Sequence, residues 1–228
     1  MLEINSITKR YSKKTGIFDA SICIPKGQIV AFIGPNGSGK STLFSIVGQV
    51  LKADSGVCKW CNVKLEELSI SKFAFLPEEI YLLKEFTPLQ MIDFMNTMKE
   101  FNASSDMVDR IIKCFNIESF MHKKIKNLSY GMKKRVALAC TLLGNPELLI
   151  LDEPINSLDL QSVISLKKLL VEFKEKGTTV LISSHILDFL DSIVDQVVFL
   201  NKGKIVDVFS NINEKVEALY CNRFQVNY

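Results

Sequence analysis

The octet Gly34-Pro35-Asn36-Gly37-Ser38-Gly39-Lys40-Ser41 limits what this chain can fold into more than any other stretch. It follows the apolar run QIVAFI (28–33) and precedes a helical pattern from about Lys40 to Val50, so it is the turn of a strand–loop–helix unit. The pattern G-x-x-x-x-G-K-[ST] suits phosphate. Its glycines allow dihedrals that turn successive backbone N–H groups toward one anion, and the helix adds its positive end. Lys40 is expected to reach the β- and γ-phosphates of a nucleoside triphosphate, and Ser41 to ligate Mg²⁺.

A unit of this kind needs parallel partners. LLILD (148–152) and TTVLISS (178–184) supply them as continuous apolar runs, the mark of strands buried on both faces. β-like segments at 2–10, 17–24, 57–60, 73–76, 195–200 and 204–209, and helical patterns at about 161–176 and 186–193, complete the alternation. Residues from about 88 to 143 differ, with three helical patterns and little β signal: PLQMIDFMNTMKEF, SSDMVDRIIKCFNI and a helix opening at LSYGM. The expectation is an α/β parallel-sheet core interrupted by a helical block.

Strand LLILD ends in two acids, Asp152 and Glu153. Buried strand ends tolerate charge only when a cation or partner meets it, and the carboxyl ends of parallel strands face the ligand crevice. Asp152 is therefore read as holding Mg²⁺, directly or through water, and Glu153 as polarising an attacking water. His185 ends the next buried strand at the same edge, placed for a γ-phosphate contact.

The remaining composition mostly excludes. With 228 residues, 47% hydrophobic, 23% charged and a net charge of +3 from interspersed acids and bases, the chain reads as one ordinary globular domain without a nucleic-acid footprint. No apolar run approaches the ~20 residues of a membrane span, and MLEINSITKRY lacks a signal-peptide core, so a cytosolic location with reduced thiols is expected for the six cysteines. Cys58-Lys59-Trp60-Cys61 has knuckle spacing but no second pair, and is read as two thiols on a short strand.

One stretch stays unexplained by chemistry within the chain. Leu128-Ser129-Tyr130-Gly131-Met132 opens a helix with a small polar residue and a glycine, beside no nucleophile, metal site or catalytic pair. Ser129 can cap the helix while Gly131 leaves N–H groups accessible at its positive end.

GPNGSGKST, LSYGM, LLILDEP, NSLD and His185, in this order, resemble the ATP-binding cassette (ABC) family, and within it the ATPase subunit of a transporter. The resemblance covers essentially the whole chain. It implies a P-loop NTPase (RecA-like) parallel sheet core with an N-terminal antiparallel β subdomain and an inserted α-helical subdomain. The core would take about 1–80 and 145–210, the helical subdomain about 82–143, and a short tail 210–228. It extends the nucleotide site to Thr42, and to Tyr11 as the ring stacked on adenine. It makes Leu128, Ser129 and Gly131 the signature that binds the γ-phosphate of an ATP held by another chain. Ser157 and Asp159 fall in the loop through which paired subunits communicate. The implied cofactors and partners are ATP with Mg²⁺, a second ABC ATPase subunit (the same or different) and a polytopic membrane permease, with the chain peripheral on the inner face of the membrane.

The sequence departs from the family at three places. Tyr130 and Met132 stand where the signature commonly has glycine and glutamine, Ile155 replaces a frequent threonine, and FLPEE puts Glu78 where the family has a lid glutamine. FLPEE and the compact tail resemble exporters more than importers. The rival reading is a soluble ABC ATPase of a non-transport assembly, such as cluster biogenesis. Only 88 residues separate Lys40 from Ser129, which leaves no room for the coiled-coil insert of a nucleic-acid maintenance ATPase. A simple P-loop kinase leaves LSYGM and His185 without a role.

Overall fold

The structure, a computed structural model, describes residues 1–98, 103–210, 212 and 214–224. Residues 99–102, where the PLQMIDFMNTMKEF pattern runs out, and residues 211, 213 and 225–228 of the tail lie outside them.

The chain begins with antiparallel strands β1 (Leu2–Arg10) and β2 (Gly16–Ile24), and the core strand β3 (Ile29–Ile33) leads into α1 (Lys40–Val47). Gly48 caps α1 and Gln49 follows in the left-handed region (φ 58°), so the helix stops short of the expected Val50. After β4 (Ser55–Trp60), β5 (Val63–Lys64) and β6 (Phe73–Leu76) come the helices α2 (Pro88–Met98), α3 (Ser105–Cys114) and α4 (Tyr130–Thr141). The α/β alternation then resumes with β7 (Leu148–Leu151), α5 (Leu160–Glu175), β8 (Thr179–Ser183), the short α6 (Leu187–Leu190), β9 (Gln196–Asn201), β10 (Lys204–Ser210) and α7 (Val216–Phe224).

Two sheets result. β2-β1-β4-β5 is antiparallel; β10-β9-β3-β8-β7-β6 is parallel except for β10, which pairs antiparallel with β9. The apolar runs behave as parallel-sheet physics requires: every residue of β3, β7 and β8 is buried. Each Val, Leu or Ile so placed contributes about 1.5–3 kcal/mol relative to exposure, which fixes the register that aligns the strand ends. In that register Leu151 stands beside Ile182, so Asp152 and Ser183 emerge as neighbours. The α/β class with helices gathered between β6 and β7 matches the expectation.

The tail holds more than its length suggested. α7 buries Val216 and sets Tyr220 and Phe224 against Phe199 of β9, with Phe224 edge-on at a centroid distance of 5.7 Å. Cys58 lies buried in β4, where desolvation pushes its thiol up to about 12, and Cys61 is exposed just beyond the strand.

Candidate active site

The loop after β3 presents unpaired donors. Gly39 caps α1 at φ 107°, and a Cβ there would stand 2.5 Å from Ile17 Cδ1, so both conformation and space demand glycine. No side chain caps α1 and no acid occupies its first turn. Among the described residues the N–H groups of Gly39, Lys40, Ser41 and Thr42 have no partner within the chain, as expected for a helix start built to meet an anion. Ser38 Oγ is buried without a hydrogen bond. The loop is braced from outside: Gly203 N–H, in the β9–β10 turn, donates to Ser38 O at 2.9 Å. Lys40 Nζ folds back to donate to Gly34 O (2.8 Å) and Pro35 O (3.4 Å). Burial lowers its pKa from the ordinary lysine value, while Glu153, Asp152 and Glu78 act in the opposite direction.

The acidic edge is organised by a residue the sequence reading passed over. Ser183 Oγ donates to Asp152 Oδ1 at 2.5 Å and accepts from Glu153 N–H at 2.9 Å, tying the ends of β7 and β8. A hydroxyl ending a buried apolar run was the available signal. Glu153 adopts φ 47°, a conformation that costs a non-glycine residue about 1–3 kcal/mol and persists only where its surroundings enforce it. Its side chain is nearly buried, and Oε2 meets His185 Nδ1 at 2.9 Å. A carboxylate only accepts, so Nδ1 carries the proton in this pair.

One cavity of about 710 Å³ gathers Tyr11, Asn36 through Thr42, Glu78, Glu153 and His185 on its wall. That volume is within the ~300–1,000 Å³ of small-molecule sites. Thr15, Gly16 and Asn156 join them without having been foreseen. The Tyr11 ring is exposed at the rim, open for stacking, while its N–H is held by Thr15 O at 3.0 Å. Gly34 and Pro35 stay behind the wall, where their carbonyls hold Lys40. Ser41 and Glu78 also line an adjoining groove of about 800 Å³, together with Asp152. The Ser41 hydroxyl and Asp152 carboxylate are hard oxygen donors of the kind Mg²⁺ takes. Among the described residues no group of three or more His, Cys, Asp or Glu could hold a metal. Mg²⁺ fits that sparse set because it commonly uses one or two protein ligands plus phosphate and water.

The signature residues lie elsewhere: Leu128, Ser129, Gly131, Ser157 and Asp159 do not line the cavity. Leu128 is buried, and Ser129 Oγ accepts from Met132 N–H at 3.3 Å, capping α4. Gly131 has a second reason to be glycine, since a Cβ would stand 2.6 Å from Ser157 O. Asp159 accepts from Ser162 N–H at 2.8 Å to cap α5 and pairs with Arg135 of α4 at 3.4 Å. The Ser162 N–H holds the Asp159 carboxyl below its usual range. Tyr130, unexplained by sequence, places its hydroxyl 3.5 Å from Glu78 O.

Comparison with known proteins identifies the family. The family model described as ABC transporter matches residues 17–156, and a model described as an AAA domain matches 124–191. The chain is 32% identical to the lantibiotic transport ATP-binding protein SrtF of Streptococcus pyogenes, over 98% of this chain and 97% of that protein. Among solved structures, an ATP-binding subunit of an ABC transporter superposes with TM-score 0.86 at 25% identity, covering 97% of this chain and 98% of the other. A dimeric post-hydrolysis state of the ATP-binding cassette MJ0796, bound to ADP and Pi, gives 0.79 at 25% identity, covering 94% and 100%.

Proposed function

The chain belongs to the ABC transporter family as an ATP-hydrolysing, ATP-binding subunit, and from that premise we propose how its residues divide the work. Two such subunits close head to tail on two ATP molecules, each signature completing the opposite site. Gly34 through Thr42 cradle the phosphates, Tyr11 stacks on the base, and Lys40 exchanges its loop carbonyls for β- and γ-oxygens. Ser41 and Asp152 would hold Mg²⁺, which would supply positive charge to offset that of the phosphates. Glu153 accepts a hydrogen bond from the water that attacks the γ-phosphorus; the proton passes to its carboxylate as the bond to the bridging oxygen breaks. His185 orients Glu153 and reaches the γ-phosphate. Ser129 and the N–H groups opened by Gly131 hold that phosphate from the partner, while Ser157 and Asp159 report across the interface. The observation that carries this reading is Glu153, near-buried at positive φ, fixed by Ser183 and His185 on the cavity that also holds Lys40.

We further propose that hydrolysis drives transport, in the direction of export, through a separate polytopic permease, with this chain on the cytoplasmic face. Among the described residues no helix is long and apolar enough to cross a membrane. The groove beside Asp152 offers the docking place, since Val50, Ile70, Tyr81 and Tyr130 are exposed along it. Similarity to a lantibiotic transport protein favours this over a soluble non-transport assembly. Affinity capture of the chain from detergent-solubilised membranes should recover a polytopic membrane protein, and Tyr81→Asp should release it. Recovery of soluble partners alone would favour the soluble assembly.

A further inference from the structure

Lys134 is an unusual lysine. Its neighbours Lys133 and Arg135 reach solvent, yet Lys134 is 1% exposed, packed into α4 with Val136, Leu138 and Ala139. Lysine is almost never fully buried unless something offsets its charge. Among the described residues the Lys134 side chain makes no hydrogen bond or salt bridge; the charges that act on it are the carboxylates of the acidic edge. Burial lowers its pKa, and the carboxylates of Asp152, Glu78 and Glu153 oppose that shift in descending order. Lys40 meets the same three groups from the cavity side, Glu153 foremost.

The geometry gives Lys134 a specific companion. Tyr130 precedes it by one helical turn and so lies on the same side of α4. Its hydroxyl reaches the Glu78 carbonyl, and Tyr130, Glu78 and Asp152 line one groove. One face of the signature helix therefore addresses Glu78 twice, through its backbone and through its charge.

We propose that Lys134 is a positioning residue of the ATPase site: its fixed charge, set behind the acidic edge, balances Asp152 and Glu78. It thereby lets a carboxylate stand at position 78 without repelling the nucleotide. The same three carboxylates act on two ammonium groups, Lys134 and Lys40; Mg²⁺ at Asp152 would offset that carboxylate, and Glu78, outside the proposed Mg²⁺ ligands, is left to the lysines. The inference rests on Glu78 lining the nucleotide cavity.

The test is steady-state ATPase of the full chain as wild type, Lys134→Met, Lys134→Gln, Glu78→Gln and each double variant. Either Lys134 substitution should lower kcat/KM about tenfold, equivalent to about 1.4 kcal/mol. Adding Glu78→Gln should return most of that loss, and Lys134→Arg should keep near-wild-type activity if it folds. Full activity in Lys134→Met would overturn the proposal, because a packing role survives an apolar side chain of similar length. An equal loss with Glu or Gln at position 78 would overturn it as well. Should the single variants fail to fold, folding restored by Glu78→Gln supports the coupling, and failure in both backgrounds refutes it. A wild-type rate no higher than that of Glu153→Gln would instead strike at the ATPase assignment, leaving the two failures distinguishable.

Discussion

Two helices of this molecule begin at places read as phosphate-binding, and they begin differently. α1 starts on a left-handed glycine with no side-chain cap, leaving four successive N–H groups unpaired toward a walled cavity that the same chain encloses. α4 starts on a capping serine, one donor already satisfied, with its first turn packed on Ser157 and outside that cavity. The first arrangement is a site and the second is a surface. A helix start that fills its own cap holds a stable shape alone and gains a ligand only when another molecule brings one.

That contrast can be broken at several points. Glu153→Gln strikes the enclosed half and should reduce hydrolysis by about 10²- to 10⁴-fold while ATP-bound pairs accumulate on size exclusion. Hydrolysis at the wild-type rate would remove Glu153 from the mechanism. Ser129→Arg strikes the open half: ATPase should fall by about 10²-fold, with ATP affinity of the single subunit changed less than about twofold. Equal damage to both measurements would show that the two helix starts serve one chain, not two.

Smaller effects sharpen the packing side. Gly131→Ala sets a methyl group 2.6 Å from Ser157 O and should destabilise by about 1–3 kcal/mol in thermal melts without altering single-subunit ATP binding. Asp159→Ala removes the cap of α5 and should cost about 1 kcal/mol at neutral pH. The Asp159 pKa is depressed in the fold, so its contribution is present above the unfolded carboxylate range and is lost as pH falls through the folded value. The gap in Tm between wild type and Asp159→Ala should therefore close on acidification below about pH 4. A gap that widens there would assign the stabilisation to another group.

The sequence was most readable where one residue type serves one physical need. The phosphate loop, the all-buried strands and the acids at their ends declare themselves locally, and the structure brings Lys40, Glu153 and His185 to one cavity. Ser183 was hidden because its function depends on register with β7, which no local pattern encodes. Lys134 was hidden because a Lys-Lys-Arg run reads as solvated, and only the depth of α4 in the core shows which lysine turns inward. The tail helix α7 has weak periodicity, and its docking depends on rings at Phe199, Tyr220 and Phe224 that meet across sequence-distant elements.

The brace between Gly203 and Ser38 bears on how nucleotide is captured. With Ser38 O held from the β9–β10 turn and Ser38 N–H held by Pro35 O, the loop is ordered by the chain itself. ATP would then bear little of the conformational entropy of loop ordering, and Lys40 needs only to trade carbonyl partners for phosphate oxygens. Binding free energy not consumed in organising the loop remains for drawing two subunits together.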